Sequence, residues 1–445
     1  MTSNFTSHST SYRTIISRSW PIIVANSTAP LLGLVDTAVI GRTGSVASLG
    51  AIALGSLIFS FIFWTFGFLR MGTTGFVAQA SGAKDEFEVR VSILRSALIG
   101  IVIGLVLVLA QIPIFKLTLQ LLKGSDEVEA LALTYLKLRI WGAPATLASY
   151  AIMGGLIGLG KSKTLLAVQA LLNILNIGLD VLLAGCFGMG VAGIGLGTMV
   201  AEWIAGLVAA VLIINILKRR HDGKTSFWTW SFISDGKLFV GTIVVQLNIM
   251  IRTLSLLVGS GWFIQQGAKL GDVILAANHI LLQFISFSAF FLDGIAYATE
   301  ALVGSASGAK KITVFSILAR RTGILSGITA IFLATTFFIV GPTIIHVLTD
   351  LETVRQTTPQ FLPFAAIYIL VSFVAFQLDG IFIGVTRTKD MRNAAIASLI
   401  IYLAAGTPMT IQFGNQGLWI TFIGFIILRA VSLGMLYPGL KRSIA

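Results

Sequence analysis

The chain consists of about twelve long apolar segments, separated by short polar connections. A helix needs roughly 20 apolar residues to cross the hydrocarbon core of a bilayer. Only 11% of the 445 residues are charged, too few to cover a water-soluble globule. The sequence therefore predicts an all-α polytopic membrane protein with twelve transmembrane helices, at about 14–41, 47–78, 92–115, 129–158, 164–186, 191–217, 237–262, 273–304, 314–347, 355–384, 393–412 and 417–438.

The chain contains an internal repeat, in which three separate motifs recur at one constant offset of about half the chain. Residues 80–84 (ASGAK) recur at 306–310, Ile157-Gly158 recurs as Ile383-Gly384, and Phe187-Gly188 recurs as Phe413-Gly414. Each half holds six segments, so both halves run through the membrane in the same direction. Parallel repeats of this kind form two lobes in alternating-access carriers. We therefore expect two pseudo-symmetric six-helix lobes around a central cleft: an N-lobe at 1–217, a cytoplasmic linker at 218–236 and a C-lobe at 237–445.

The net charge of +13 is explained by orientation in the membrane. With the N-terminus inside, the inner loops carry 21 lysines and arginines and the outer loops carry 7, including Arg139. Basic residues concentrate on cytoplasmic loops. We therefore expect both termini in the cytoplasm, a multi-pass protein of the bacterial inner membrane, and no nucleic-acid partner.

Two nucleotide-binding patterns occur by chance in apolar surroundings. Gly155 to Ser162 fits the phosphate-loop pattern and Gly188 to Gly193 fits the dinucleotide pattern, but each chemistry requires a strand before the glycines. We interpret the first as a helix end and the second as a tight turn followed by a small-residue packing face at Gly193 and Gly197. We expect no nucleotide partner, no metal or organic cofactor and no enzymatic activity.

Ionisable and polar residues inside the first six segments are the informative ones, because a charge at the centre of a bilayer is costly. Asp36 lies in the first segment, after Pro21 and Pro30, at which the helix can bend. The fifth segment carries polar residues spaced 4, 3 and 4 apart, which places them on one helix face: Gln169, Asn173, Asn176 and Asp180. This stripe predicts a site facing protein or water. Water exposure of Asp36 and structural bonding by Gln169 and Asn173 remain alternatives.

The second half has its own polar set. Asp293, Tyr297 and Glu300 share one face of the eighth segment, and Asp379 lies in the tenth. We take these four, together with Gln169 and Asn173 of the fifth segment, as candidate residues of the substrate cleft. Arg70, Arg252 and Arg429 are candidate counter-ions. Their role is ion pairing, gating or direct substrate contact.

Three stretches carry a family resemblance. They are PLLGLVDTAVIGR at 30–42, FLRMGTTG at 68–75 and LDGIFIG at 378–384. They resemble the multidrug and toxic compound extrusion (MATE) transporters, DinF-like branch. The resemblance implies efflux driven by a cation gradient through two six-helix lobes.

The resemblance also implies roles for individual residues. Asp36 is similar to an aspartate that is protonated during transport, and Pro21 to the proline at which the first helix bends. An N-lobe cation site is implied at Asn176, Asp180 and Thr198. The NorM-like branch has an acidic residue in its seventh helix, but 237–262 contains none. The resemblance therefore implies coupling through the N-lobe.

These observations predict a secondary antiporter that exports amphipathic, cationic small molecules in exchange for protons. Sodium at Asp36, Asn176, Asp180 and Thr198 is the alternative for the coupling ion. A flippase for lipid-linked precursors and a non-transporting receptor are the competing functions. The expected partners are a small-molecule substrate and membrane lipid, and the expected state is a monomer.

Overall fold

The computed structural model describes residues 10–221, 223, 227 and 236–444, which are almost entirely helical. The α-helices are α1 Tyr12–Ser27, α2 Ala29–Thr43, α3 Val46–Thr65, α4 Phe68–Gly82, α5 Glu86–Leu109, α6 Gln111–Leu122, α7 Asp126–Arg139, α8 Ala143–Gly158, α9 Ser162–Asp180, α10 Gly190–Arg220, α11 Gly236–Lys269, α12 Asp272–Gly308, α13 Ile312–Leu348, α14 Glu352–Gly384 and α15 Thr388–Arg442. A 3₁₀ turn, Ile140–Gly142, joins α7 to α8. A π-helical turn, Val181–Cys186, extends α9.

In the described part of the chain these helices amount to twelve membrane crossings. Ten helical segments are long and apolar enough to cross a bilayer by length and composition, and the last of them, α15, holds two crossings. Its backbone leaves the helical region at Gly414, where φ is 57°. The first crossing consists of α1 and α2, each of which is too short to be counted alone. The predicted all-α, twelve-helix fold is therefore confirmed.

The first crossing is interrupted beside Pro30. Thr28 separates α1 from α2, and Pro30 lies in the first turn of α2, whereas Pro21 lies inside α1. Proline has no N–H to donate, so it weakens the helical hydrogen bonding at this point. Thr28 itself keeps a helical backbone, with φ −83° and ψ −16°. Of the two residues predicted as hinges, Pro30 is the one beside the observed break. Bending at Pro21 stays a prediction.

The repeat is visible in the backbone as well as in the sequence. Lys84 and its repeat equivalent Lys310 both have left-handed φ angles, 62° and 55°. In each case the next residue donates its N–H to a carbonyl five residues earlier, at 2.9 and 3.0 Å. This pair of features terminates a helix. Gly188 and Gly414, which are also repeat equivalents, have φ angles of 66° and 57°. The two halves therefore end equivalent helices in the same way.

Equivalent glycines pack equivalent helices together. A Cβ at Gly158 would lie 2.9 Å from the carbonyl oxygen of Thr74, and one at Gly384 would lie 2.6 Å from that of Glu300. Small residues let membrane helices approach to backbone contact. Gly155 and Gly158 thus lie on the packing surface of α8, and α8 ends at Gly158, as predicted for the sequence that resembles a phosphate loop.

The helices form two compact units, which we call the first unit, Val24–Ile243, and the second unit, Met1–Ile23 with Val244–Ala445. These units differ from the predicted lobes at two places: Met1–Ile23 groups with the second unit, and residues 237–243 group with the first. Contacts of residues 10–23 with the rest of the second unit account for the first difference. Arg321 donates to the carbonyl of Thr10 at 2.6 Å, and the Arg321 guanidinium lies 5.5 Å from the centre of the Tyr12 ring. Gly294 leaves space for the backbone of Ile23, which a side chain would fill.

The second unit has an aromatic core. Phe263, Trp419 and Phe422 are buried, with the Phe263 ring 4.9 Å from Trp419 and 4.5 Å from Phe422. Aromatic pairs at these separations add stability beyond the area that they bury. This core therefore anchors α11 to the second half of α15.

Candidate functional site

The polar stripe of α9 faces the interior of the first unit. Asn173, Asn176 and Asp180 are buried, and Gln169 is half-buried. On the opposite face, Ile174 is 68% exposed, as expected for a side chain that meets lipid. Gln169 donates a hydrogen bond to Asn173 at 3.1 Å, so these two residues bond each other within the helix.

Asp36 and Asp180 meet in a pocket within the first unit. Asp36 is 5% exposed, so it does not face water, and Asp180 is fully buried. Their two carboxyl groups are near neighbours that interact electrostatically. Asn176 donates to the Thr198 hydroxyl at 3.0 Å, and Thr198 donates to the carbonyl of Ile194 at 2.9 Å. We call Asp36, Asn176, Asp180 and Thr198 the acid pocket.

The acid pocket presents oxygen atoms that lack donors. Among the described residues, both carboxylate oxygens of Asp180, Oδ1 of Asp36 and Oδ1 of Asn176 accept no hydrogen bond from a donor. Buried polar atoms are normally satisfied, because an unpaired one loses the free energy of its bond to water. The carboxylates of Asp36 and Asp180 also repel each other when both are ionised. The arrangement therefore favours binding of a proton or a small hard cation.

Close packing by glycine builds the wall of the pocket. A Cβ at Gly197 would lie 2.7 Å from Oδ1 of Asp180, and a Cβ at Gly193 would lie 2.7 Å from the backbone nitrogen of Ala184. The glycines let α10 approach α9 and its π-helical turn. Gly193 and Gly197 are thus the small-residue packing face that the sequence predicts, and they follow a tight turn at Gly188 and Gly190.

A basic residue that the sequence analysis assigned to an outer loop lies beside this pocket. Arg139 ends α7, in the middle of the fourth crossing, and interacts electrostatically with Asp36 and Asp180. It donates to the Tyr135 hydroxyl, and its guanidinium lies 3.8 Å from Glu202. The loop assignment was wrong. The spacing of Tyr135 and Arg139, four residues apart on one face of an apolar segment, is the sequence signal that could have found them.

The second unit places its acid in a different setting. Asp379 is buried and forms ion pairs with Arg252 and Arg429, the latter at 2.6 Å. Two of the three predicted counter-ions therefore neutralise this carboxylate. Asp293 and Tyr297 are half-buried and Glu300 is buried, all on α12. Their spacing places them on one helix face, as predicted.

A family model, MatE, matches residues 21–182 and 256–406. The chain is 36% identical over 422 residues to the DNA damage-inducible protein F of Escherichia coli (strain K12), covering 94% of this chain and 90% of that protein. It is 26% identical over 455 residues to the multidrug resistance protein NorM of Vibrio vulnificus (strain YJ016), covering 96% and 95%.

Solved structures share the fold. An outward-facing multidrug resistance MATE family transporter of the MOP superfamily superposes with a TM-score of 0.87 at 17% identity, covering 97% of this chain and 96% of the other. The Vibrio cholerae MATE transporter VcmN in the bent form gives 0.86 at 19% identity, covering 98% and 99%. Together, the family match over most of the chain and the DinF relative show that this multi-pass membrane protein belongs to the MatE family, the multidrug and toxic compound extrusion transporters.

Proposed function

We propose that this chain is a secondary antiporter that exports amphipathic, cationic small molecules in exchange for protons by alternating access. The observation that carries the proposal is the proximity of Asp36 and Asp180 in a buried pocket. Two neighbouring carboxyl groups are stable with one proton between them and are strained by repulsion without it. The pair is therefore suited to bind and release a proton during each cycle.

Exchange of cargo for protons follows because a proton and a cationic cargo compete for the Asp36–Asp180 pair. When the proton leaves, the acid pocket gains a negative charge that attracts a cationic cargo. When a proton returns, that attraction is lost. A transporter couples the movement of cargo to that of protons when its two conformations differ in their affinities for the cargo and for the proton. The break beside Pro30 lies on the crossing that carries Asp36, so a bend there moves one member of the pair relative to the other.

Sodium is the second candidate for the coupling ion. The acid pocket offers carboxylate, amide and hydroxyl oxygens, including Oδ1 of Asn176, which accepts no hydrogen bond from a described donor. Oxygen-only ligand sets are suited to hard cations. A proton needs only the carboxyl pair, whereas sodium also needs the amide oxygen, so the two ions make different demands on Asn176.

Purified protein in liposomes distinguishes these possibilities. We expect export of a cationic dye to follow a pH gradient, to be unaffected by a sodium gradient, and to release protons when dye is added. Asp36→Asn should lose both the export driven by a pH gradient and the proton release, while inserting and folding normally. Dye export driven by sodium alone would overturn the proton mechanism, and full proton-coupled export by Asp36→Asn would overturn the role of the pair.

We also propose that the protein lies in a bacterial inner membrane with both termini in the cytoplasm. The 21-to-7 distribution of basic residues supports this orientation, although Arg139 belongs to the membrane-spanning part.

The single cysteine, Cys186, is exposed and falls on the outer side in this topology. An impermeant thiol reagent added to intact cells should label Cys186. A cysteine placed within 218–236 in a Cys186→Ser background should stay unlabelled, and labelling there would reverse the topology.

A further inference from the structure

A cavity in the first unit lies between α5 and α10 and shares no lining residue with the acid pocket. Both helices pack against α8: a Cβ at Gly155 would lie 2.9 Å from the Ile93 side chain of α5, and a Cβ at Gly206 of α10 would lie 3.0 Å from Oγ of Ser149. The space left between α5 and α10 is about 130 Å³. Its walls are apolar and come from all three helices, with Val91, Leu94, Ala97, Ile152, Ala210 and Ile213 among them.

The charge that lines this cavity is positive. Arg90 is 7% exposed, and among the described lining residues it is the one charged side chain. Its guanidinium lies 5.8 Å from the centre of the Phe87 ring and 5.6 Å from that of Phe227, at cation–π distance. Because the surroundings are apolar, this cation attracts an anion more strongly than an exposed arginine does.

The acids at the start of α5 interact with other groups. Asp85 accepts a hydrogen bond from the N–H of Glu88 at 2.9 Å and caps the helix. Glu86 accepts two from Arg220 of α10, at 2.6 and 2.9 Å, and Glu88 accepts one from the Ser92 hydroxyl at 2.8 Å. The pair of Glu86 and Arg220 also ties the end of α10 to the start of α5 beside the cavity.

The cavity lies where helices end, and therefore near a membrane surface. Arg90 is in the second turn of α5, and the lining residue Leu217 is in the last turn of α10, before the exposed Arg219. Val211, next in sequence to the lining residue Ala210, is exposed, as a side chain that meets lipid would be. In the proposed topology this surface belongs to the cytoplasmic leaflet.

The second unit has a cavity of about 280 Å³ at the equivalent place, lined by α13, α14 and α15. Five lining positions of the two cavities are separated by the same offset as the recurring motifs: Arg90, Ile93, Leu94, Ala97 and Ile152 in the first unit, and Ser316, Ala319, Arg320, Gly323 and Leu378 in the second. Repeated helix packing thus leaves the same gap twice. Its origin is the backbone arrangement, and the side chains set its charge.

We propose that the cavity of the first unit binds an anionic phospholipid of the surrounding membrane, with one acyl chain in the cavity and the phosphate at Arg90. Guanidinium groups bind phosphate oxygens through two parallel hydrogen bonds. An apolar cavity of about 150 Å³ holds one benzene molecule, so about six carbons of a chain fit here. The rest of the chain lies along the lipid-facing surface. Basic pockets between membrane helices bind anionic head groups in this way, whereas a cationic cargo is repelled by Arg90.

Native mass spectrometry of the delipidated protein in detergent tests this site without any cargo. Phosphatidylglycerol and phosphatidylcholine with identical acyl chains are titrated separately, and the dissociation constant of the first bound lipid is measured for each. The wild type should bind phosphatidylglycerol more tightly. Arg90→Gln should weaken that binding about tenfold, because it removes the hydrogen bonds to a charged phosphate. Arg219→Gln is the matched control, since it removes the same charge from an exposed position outside the cavity, and it should have no effect.

A second variant tests the acyl chain. Ala97→Leu changes no charge but fills part of the cavity, so it should also weaken binding of the first phosphatidylglycerol. If Arg90→Gln does not fold, Ala97→Leu and the wild-type comparison of the two lipids carry the test. Equal wild-type affinities for the two lipids would overturn the proposal, as would an unchanged affinity in Arg90→Gln or in Ala97→Leu. An equal loss in Arg219→Gln would also overturn it, because the lipid would then be held by the exposed basic surface.

Discussion

The two units make equivalent contacts with different chemistry. In the first unit Asp36 lies beside Asp180. Their repeat equivalents are Trp262 and Gly406, and there the indole ring fills the space that a side chain at Gly406 would occupy. A repeated backbone therefore brings the same two helix faces together twice, and the side chains decide whether the contact becomes an acid site or an aromatic core.

The remaining members of the acid pocket are likewise replaced by non-ionic residues at the equivalent positions of the second unit. Asn176 corresponds to Tyr402, whose ring lies edge-on to Trp262 at 4.9 Å, and Thr198 corresponds to Gly424. A proton or cation site needs polar oxygens, and an aromatic cluster needs a dry, close-packed interior. We therefore propose that ion coupling is confined to the first unit and that the aromatic cluster at the equivalent place in the second unit contributes to stability.

The buried charges of the second unit lie at repeat positions that carry no charge in the first unit. Asp379, Arg252 and Arg429 correspond to Met153, Asn26 and Trp203 in the first unit. Asp379 is paired with two tethered cations, whereas Asp36 and Asp180 are paired with each other. The two sets of acids therefore face different charges, and we expect them to respond differently to substitution.

The largest effect is expected from removing the second acid of the pair. Asp180→Asn should abolish cargo-driven proton release, because the remaining carboxyl no longer shares a proton with a charged partner. Proton release per folded molecule in liposomes is the measurement, with Asp379→Asn as the comparison from the other unit. Loss of coupling in Asp379→Asn with retention in Asp180→Asn would show that the two units are assigned in reverse.

Asp379→Asn should act on stability instead. It leaves the half-buried Arg252 and the buried Arg429 without their carboxylate, and breaking a buried ion pair in this way costs about 3–5 kcal/mol. Thermal unfolding in detergent gives the change, with Asp350→Asn as the control, since Asp350 forms an exposed ion pair with Arg355. An unchanged unfolding temperature in Asp379→Asn would mean that the cluster does not stabilise the second unit.

Two glycine substitutions test the equivalent contacts directly. Gly197→Ala places a methyl group 2.7 Å from Asp180 Oδ1, so it should displace the carboxylate and reduce coupling about tenfold. Gly406→Ala pushes against the Trp262 ring and should destabilise the protein by about 1–3 kcal/mol while coupling stays normal. Measuring both properties in both variants gives the comparison, and a Gly406→Ala variant with impaired coupling would contradict the separation of roles.

The smallest effect is expected at Tyr402. Its buried hydroxyl makes no hydrogen bond with any described residue, so Tyr402→Phe should change the free energy of unfolding by less than about 0.5 kcal/mol. Asn176→Leu is its counterpart in the first unit and should lower coupling, because it removes the bond to Thr198. A clear loss of stability in Tyr402→Phe would indicate that the aromatic cluster holds an ordered water.

The sequence alone determined the membrane fold, the repeat and most of the acid pocket. Segment length and apolarity are properties of the chain itself, because the bilayer thickness is fixed. The spacing of Asn173, Asn176 and Asp180 places them on one face of any α-helix, whatever lies around it. The constant offset between the recurring motifs implies a repeated backbone in the same direct way.

Tertiary structure decided which helix faces meet in the folded protein. The proximity of Asp36 to Asp180 joins residues from distant parts of the chain, and no local pattern specifies the rotation of two helices against each other. Counting basic residues by loop places Arg139 on the outer side, whereas the structure places it at the end of α7 beside buried acids. Its partner Glu202 comes from another helix. The grouping of Met1–Ile23 with the second unit also rests on distant contacts. Periodicity fixes which residues share a helix face, whereas packing between distant segments decides which faces meet.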